Sequence, residues 1–286
     1  VELERIAKIS AGNYRLAVDT TDEDGAAVTV TAPALAIVDG AGAEVTYEGT
    51  PVAAAGTITA DVPAAALSEL DTYRLTWSGT SGADALEWTQ YVEICGGYLC
   101  TVAALRASDS SIASETKYPA DTVRAARTSA EERFERLAGV AFVPRGRRVS
   151  LIGDGTARVR VPDTAIRRIV SASIAGVTLT AAELAALTRR EWGAIDRPAG
   201  YVWTADAALE LAYEHGEDYP PGPVIEAVKL LAREYLVKKA LGSRATVEAT
   251  NVGTFRLSVA GKDGSTGIPD VDAAAAAFGR RRPVVA

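Results

Sequence analysis

Apolar and polar positions change period several times along the chain, and each change marks an element. The clearest pattern is helical. Over 220–242, Val224, Val228, Leu231 and Tyr235 recur at helical spacing beside Ile225, Ala232 and Leu236, while Glu226, Lys229, Arg233, Glu234 and Lys238 cover the opposite face. Pro223 suits the first turn, and Gly242 suits the left-handed residue just past the end. A second helix follows Pro119, with Val123, Ala126, Ala130, Phe134 and Leu137 on one face and Gly139 as its stop. Each stripe needs a partner surface. The spacing predicts that the two helices supply it to each other, with Val123, Phe134, Val228, Leu231 and Tyr235 in the contact.

Two-residue alternation dominates elsewhere. Over 13–94, Tyr14, Leu16 and Val18, the runs within Val28–Val38, Val45–Tyr47, Thr57–Ala60, Tyr73–Trp77 and Leu86–Ile94 read as short strands. The turns at Asp22–Gly25 and Asp39–Gly42 come at the spacing of a small antiparallel sandwich. Tyr73, leading into Arg74-Leu75-Thr76-Trp77, resembles the corner that opens a late strand of an immunoglobulin-like domain, without the Cys…Trp…Cys framework. A short helix spans Thr101–Arg106, and the polar stretch Ser108–Lys117 reads as a linker.

Between the two helices, Val149–Ile152 and Ala157–Val161 read as a hairpin turning at Asp154-Gly155. A strand at Ile169–Ile174, a short helix capped by Thr180, and a strand at Ala207–Tyr213 with Leu209, Leu211 and Tyr213 on one face follow. Beyond Gly242, two extended runs within Thr246–Val259 flank Asn251–Gly253, a Gly-rich loop contains Lys262, and an alanine-rich helix spans Val271–Phe278. The expected fold is therefore multidomain. An all-β, immunoglobulin-like sandwich over 1–97 is joined by a linker at 98–117 to an α+β, mainly helical domain over 118–286, with a small sheet, a hairpin and an extended C-terminal arm.

Charge supports a division of this kind. Residues 1–100 carry 4 Lys or Arg against 15 Asp or Glu, a net of −11, whereas residues 101–286 carry 26 against 22, a net of +4. A free-standing DNA binder would carry a strongly basic domain, which neither half does. No apolar run reaches the length of a membrane span and the first residues do not make a signal peptide, so synthesis in a cytoplasm is expected. The two cysteines, Cys95 and Cys100, read as reduced thiols, with a disulfide across the intervening Gly-Gly turn as the minor alternative.

Catalytic chemistry finds little to stand on. The single histidine, His215, ends a strand without a second histidine to help it, and neither a Gly-x-x-x-x-Gly-Lys-Ser/Thr loop nor Gly-x-Gly-x-x-Gly occurs. Glu131-Glu132 and Glu217-Asp218 read as solvated charge. No enzyme activity, metal or cofactor is expected. The one basic run, Arg280-Arg281-Arg282, followed by Val284 and Val285, fits phosphate contacts, anchoring on an acidic partner, or a solvated tail in equal measure.

Residues 115–286 carry a further pattern. Leu137-Ala-Gly-Val-Ala-Phe-Val-Pro-Arg145 closes the first helix, and Asp154-Gly155-Thr156 follows. Gly193-Ala-Ile-Asp-Arg197, Gly200-Tyr-Val-Trp203 and Leu209–Gly216 come next, then the proline-rich start of the long helix. Gly267-Ile-Pro-Asp-Val-Asp272 and Gly279-Arg-Arg-Arg-Pro283 end the series. In order and spacing these resemble the head-to-tail connector (adaptor) proteins of tailed bacteriophages, in particular those infecting actinobacteria.

The resemblance implies a structural protein of the virion neck. Its subunits would form a ring, commonly of twelve, between the portal and the next connector, stopper or tail-completion protein, with packaged double-stranded DNA passing through without sequence recognition. Val271, Phe278, Arg280, Arg281, Arg282, Val284 and Val285 would then contact the portal or a neighbouring subunit, and Val247, Asn251, Phe255, Arg256 and Lys262 would form an inter-subunit or channel hairpin and loop. The alternative reading is a surface-displayed binding module whose first domain recognises glycans or another protein.

Overall fold

The computed structural model describes residues 3–22, 24–54, 56–237 and 266–280 in full and the backbone of 247–250 and 253–256. In chain order, strands β1 (Leu3–Ala7), β2 (Asn13–Asp19), β3 (Thr31–Val38), β4 (Val52–Ala54), β5 (Thr57–Pro63), β6 (Thr72–Ser81) and β7 (Asp84–Cys95) come first. Helices α1 (Val102–Ser108) and α2 (Ala120–Ala138) follow. Next are β8 (Arg145–Ile152), β9 (Arg158–Arg160), β10 (Ile166–Ile174), β11 (Val177–Thr178), α3 (Ala181–Ala185), β12 (Thr188–Arg189), β13 (Ala194–Asp196) and β14 (Ala208–His215). Helix α4 (Gly222–Leu236), strands β15 (Val247–Thr250) and β16 (Gly253–Arg256), and helix α5 (Pro269–Phe278) complete the chain.

The chain makes two compact units, each from two separate stretches: Val1–Gly97 with Pro144–Gly216, and Tyr98–Val143 with Glu217–Ala286. The expected mainly helical second part is overturned. Strand accounts for 36% of the structure and helix for only 25%. The physical reason lies in 144–216, where β8, β10 and β14 run as strands of eight or nine residues and pair with one another in one antiparallel sheet.

In the first unit, the sheets β1-β7-β6-β3 and β2-β5-β4 enclose a core that includes Leu16, Ile37, Ile58, Val62, Leu75, Trp77, Val92 and Ile94, all at most 1% exposed. Among the described residues only β1 pairs in parallel, with β7. Strict alternation builds this core: Tyr73, Leu75 and Trp77 point inward from β6, and Ile58, Ala60 and Val62 from β5. The Tyr73 hydroxyl donates to the Glu69 carbonyl at 3.2 Å, tying the start of β6 back to the preceding loop.

The same unit contains the sheets β11-β10-β14-β8 and β12-β13-β9 over a second core, with Trp203, Leu209, Leu211 and Tyr213 at its centre. The expected hairpin of 149–161 is not formed. β8 pairs with β14, whereas β9 pairs with β13, so the Asp154-Gly155 turn carries the chain from one sheet into another. The Gly155 amide donates to the Trp203 carbonyl and the Trp203 amide to the Thr156 carbonyl, giving the turn partners that a hairpin would have taken from its own strands.

The second unit is helical. α2 packs on α4, α5 packs on both, and α1 touches both α2 and α4. Pro119 precedes α2 and Gly139, at φ 71°, stops it in the left-handed conformation that glycine adopts without strain. α4 starts at Gly222-Pro223 and ends at Leu236, with Val237 as its cap, and the expected stop at Gly242 lies outside the described residues. The stretch 108–117 is not a free linker. Ile112 is fully buried, and the Arg106 guanidinium donates to the carbonyls of Ile112 and Tyr118 at 3.3 and 2.6 Å.

Candidate functional site

The helical unit is held by charges that are buried because backbone groups satisfy them. Glu131, on α2, is fully buried and accepts from the Leu99 amide at 2.8 Å. One turn later, Glu135 accepts from the Phe142 amide at 3.0 Å. The two carboxylates thus anchor the chain before α1 and after α2. The Arg127 guanidinium stands 3.5 Å from the centroid of the Tyr98 ring, with its Nε 3.9 Å from Glu131. The solvated reading of Glu131 is therefore corrected, because a buried carboxylate needs such donors.

Of the residues expected in the helix contact, Val123, Phe134, Val228 and Leu231 are at most 3% exposed. Tyr235 is not in the core: it is 48% exposed, and the buried face of α4 continues through Ala232 and Leu236 instead.

Helix α5 seats Val271, fully buried, and Ala275, 4% exposed, in the same core. Asp272 accepts from both the amide and the hydroxyl of Thr266 at 2.8 Å, fixing the first turn. The Arg280 amide donates to the Ala138 carbonyl at 2.7 Å. Val271 is thus an internal packing residue of its own chain, which corrects its assignment to an interface. Phe278 is 39% exposed. Arg281, Arg282, Val284 and Val285 lie outside the described residues.

Between the ends of α4 and α5 the chain carries β15 and β16, paired antiparallel from Val247↔Arg256 to Thr250↔Gly253. Val247, Phe255 and Arg256 are on these strands, whereas Asn251 and Lys262 are outside the described residues. Among the described residues, these two strands pair with each other and join no other sheet. A two-stranded ribbon is marginal in water, and its outer edges offer unpaired amides and carbonyls.

The first unit contains a second concentration of charge. Glu93 accepts from Arg5 at 2.9 Å and from Arg145 at 3.1 Å. Asp71 accepts from Arg148 at 2.7 and 2.9 Å, and Arg168 reaches both Glu69 and Glu214 at 2.7 Å. Acids of the first hundred residues therefore meet arginines of 145–168. The charge break in the sequence is partly an internal complementarity. Backbone approach is close here too, since a Cβ on Gly146 would lie 1.5 Å from the Leu70 carbonyl oxygen.

At one end of this seam, Asp163 accepts from the Tyr213 hydroxyl at 2.7 Å and from Arg147 at 3.0 Å, with His215 Nδ1 3.6 Å away. Burial pushes the His215 pKa down despite the pull of Asp163, and burial pushes the Tyr213 hydroxyl up. His215 is thus buried rather than a surface turn residue. Its neighbours, Arg145, Arg147 and Asp163, are engaged in ion pairs that tie β8 to β7 and to the segment between β9 and β10.

Cys95 and Cys100 are both free, and each is buried in a different unit. Burial raises each thiol to about 11, which leaves them protonated and poorly nucleophilic near neutral pH. Among the described residues, no group of three or more His, Cys, Asp or Glu side chains is placed to hold a metal ion, and no helix is long and apolar enough to cross a membrane.

The sequence reading missed Glu131, Glu135, Glu93, Asp71 and Asp163. Each is engaged by partners from outside its own element, which no local pattern reveals. Neither the protein-family models nor the curated proteins include a match to this chain.

Proposed function

We propose that this protein is a structural subunit of the neck of a tailed bacteriophage, assembling as a homo-oligomeric ring between the portal and the next connector or tail protein. The observation that carries this reading is the β15–β16 ribbon. It comes in the chain between α4 and α5, two helices of one core, yet has no further strand to pair with among the described residues. Closing a ring requires head-to-tail contacts, in which one surface of each subunit meets a different surface of the next. A ribbon with two open edges provides such a surface through main-chain hydrogen bonds. The resemblance of 115–286 to head-to-tail connectors supports the same reading, and the ribbon lies within that stretch. The portal, a stopper or tail-completion protein and the transiting double-stranded DNA are the partners this role requires.

Native mass spectrometry of the purified chain, alone and with portal protein, tests the reading. The intact chain should form rings or bind portal, and a variant with 247–256 replaced by a Gly-Ser linker should remain monomeric with unchanged helical circular dichroism. Rings formed without the ribbon, or an intact chain that neither oligomerises nor binds portal, would overturn it.

A further inference from the structure

The outer face of the β9–β13–β12 sheet gathers arginines beside one exposed tryptophan. Arg158 and Arg160 project from β9 on either side of the inward-facing Val159, and the register places them opposite Asp196 and Ala194. Arg190 follows β12. With Glu191 and Trp192, the three arginines line a surface recess of about 460 Å³ in which Ala194 is the one small residue.

The arginines are partly set in place. Asp196 accepts from Arg158 Nε at 2.6 Å and from its NH2 at 2.9 Å, and from Arg190 Nε at 3.1 Å. These arginines hold the Asp196 carboxyl down at about 2, so it stays ionised wherever the protein is folded. Each guanidinium has five N–H donors, and Asp196 takes two from Arg158 and one from Arg190. The Arg160 side chain has no hydrogen-bond or ion-pair partner among the described residues. Five N–H donors there, and those left over on its neighbours, await an anion.

Beside them stands an aromatic ring. Trp192 is 53% exposed and has a left-handed backbone at φ 60°, ψ 32°. That conformation is unfavourable for a bulky residue and persists only where the surroundings impose it. Here they do. The Arg190 amide donates to the Ala194 carbonyl at 2.8 Å, closing the turn. Gly193, at φ 73°, packs so tightly that a Cβ would meet the carbonyls of Asp163 and Val161 at 2.3 and 2.6 Å. The turn is thus clamped at its base and presents Trp192 at its tip. Strain spent on exposing a tryptophan contributes nothing to the core.

We propose that this face binds single-stranded nucleic acid, with backbone phosphate on Arg160 and the free donors of Arg158 and Arg190, and an unpaired base stacked on Trp192. Guanidinium forks match phosphate oxygens, and stacking on an exposed aromatic is how single strands are gripped without sequence readout. A duplex hides its base faces and offers phosphate alone, so the tryptophan selects the single strand. The overall charge of −7 does not prevent this, because at physiological salt fields are screened within about 8 Å. The inference is independent of ring formation.

Tryptophan fluorescence reads the site directly. Trp77 and Trp203 are fully buried and Trp88 is half-buried, so Trp192 is the most exposed of the four. A short oligothymidylate titrated into the full chain should quench the emission saturably. Trp192→Ala, which lacks the reporting indole and is therefore read by the anisotropy of a fluorescein-labelled oligothymidylate, should weaken binding by about 5- to 150-fold, the range expected for one lost base stack. Arg160→Ala should lower the slope of log affinity against log salt by about 0.7, as for one phosphate released from a single strand. Circular dichroism checks that both variants, altered at exposed positions, stay folded. Three results would overturn the proposal: no saturable quenching, a duplex of the same length bound as tightly with no effect of Trp192→Ala, or a polyglycerol phosphate quenching as well as the oligonucleotide.

Discussion

The Arg280 amide reaches the Ala138 carbonyl at 2.7 Å, so the last described turn of the chain is tied to the last turn of α2. Together with the full burial of Val271, this makes α5 part of the helical fold. Val271→Ala should therefore destabilise the protein by about 1.5 to 3 kcal/mol, the scale of burying one such side chain. Truncation after Gly267 should lower the thermal midpoint further. An unchanged midpoint in both variants would mean that α5 is a detachable arm.

The two apolar residues near the end of α4 separate by burial. Leu231 is 3% exposed and Tyr235 is 48% exposed. Leu231→Ala should cost about 2 to 5 kcal/mol in urea titrations, whereas Tyr235→Ala should fall within about 0.5 kcal/mol of the parent. Equal losses at both positions would place the α2–α4 contact elsewhere.

Glu93 is 7% exposed and is shared by Arg5, 5% exposed, and Arg145. Removing it leaves two cations largely out of water. Glu93→Ala should cost about 3 to 5 kcal/mol, as when one partner of a buried pair is deleted. A loss below about 1 kcal/mol would show that water reaches the arginines readily.

His215 makes stability depend on pH in a definite direction. Its folded pKa lies below the ordinary value, first because of burial and then because Arg145 and Arg147 outweigh part of the pull of Asp163 and Glu93. The unfolded chain therefore takes up a proton at about pH 6.5 that the folded chain resists, and stability is complete above that value and lost as pH falls below it. Melting between about pH 7 and about pH 5 should show this loss, and His215→Gln should flatten it. A parent profile as flat as that of the variant would refute the assignment.

The elements most legible in the sequence are those whose signals are local. Pro119 and Gly139 bracket α2, Thr180 caps α3 through a capping box with Glu183, and Leu209, Leu211 and Tyr213 share the buried face of β14. Pairing was less legible. A turn signal at Asp154-Gly155 says that the chain reverses but not which strand receives it, and here the receivers are β14 for β8 and β13 for β9. Buried charge was least legible, because nothing local separates Glu131 from its neighbour Glu132, and what buries it is the Leu99 amide, 32 residues away. The nucleic-acid face combines both difficulties, since Arg158, Arg160, Arg190 and Trp192 come from separate segments that only sheet register brings together.

The interleaving of the two units sets an order of events on the ribosome. Glu93 emerges 52 residues before Arg145, and the whole of Tyr98–Val143 intervenes. At about 5 to 20 residues per second, the carboxylate waits for roughly 3 to 10 s before its second arginine exists. During that interval Tyr98–Val143 also lacks α4, whose residues come only after the whole of Pro144–Gly216. The sandwich core, drawn wholly from residues up to Ile94, can close in that time, whereas the helical core waits with α1 and α2 until α4 and α5 emerge. The acidic excess of the first hundred residues favours repulsion between nascent chains over that interval.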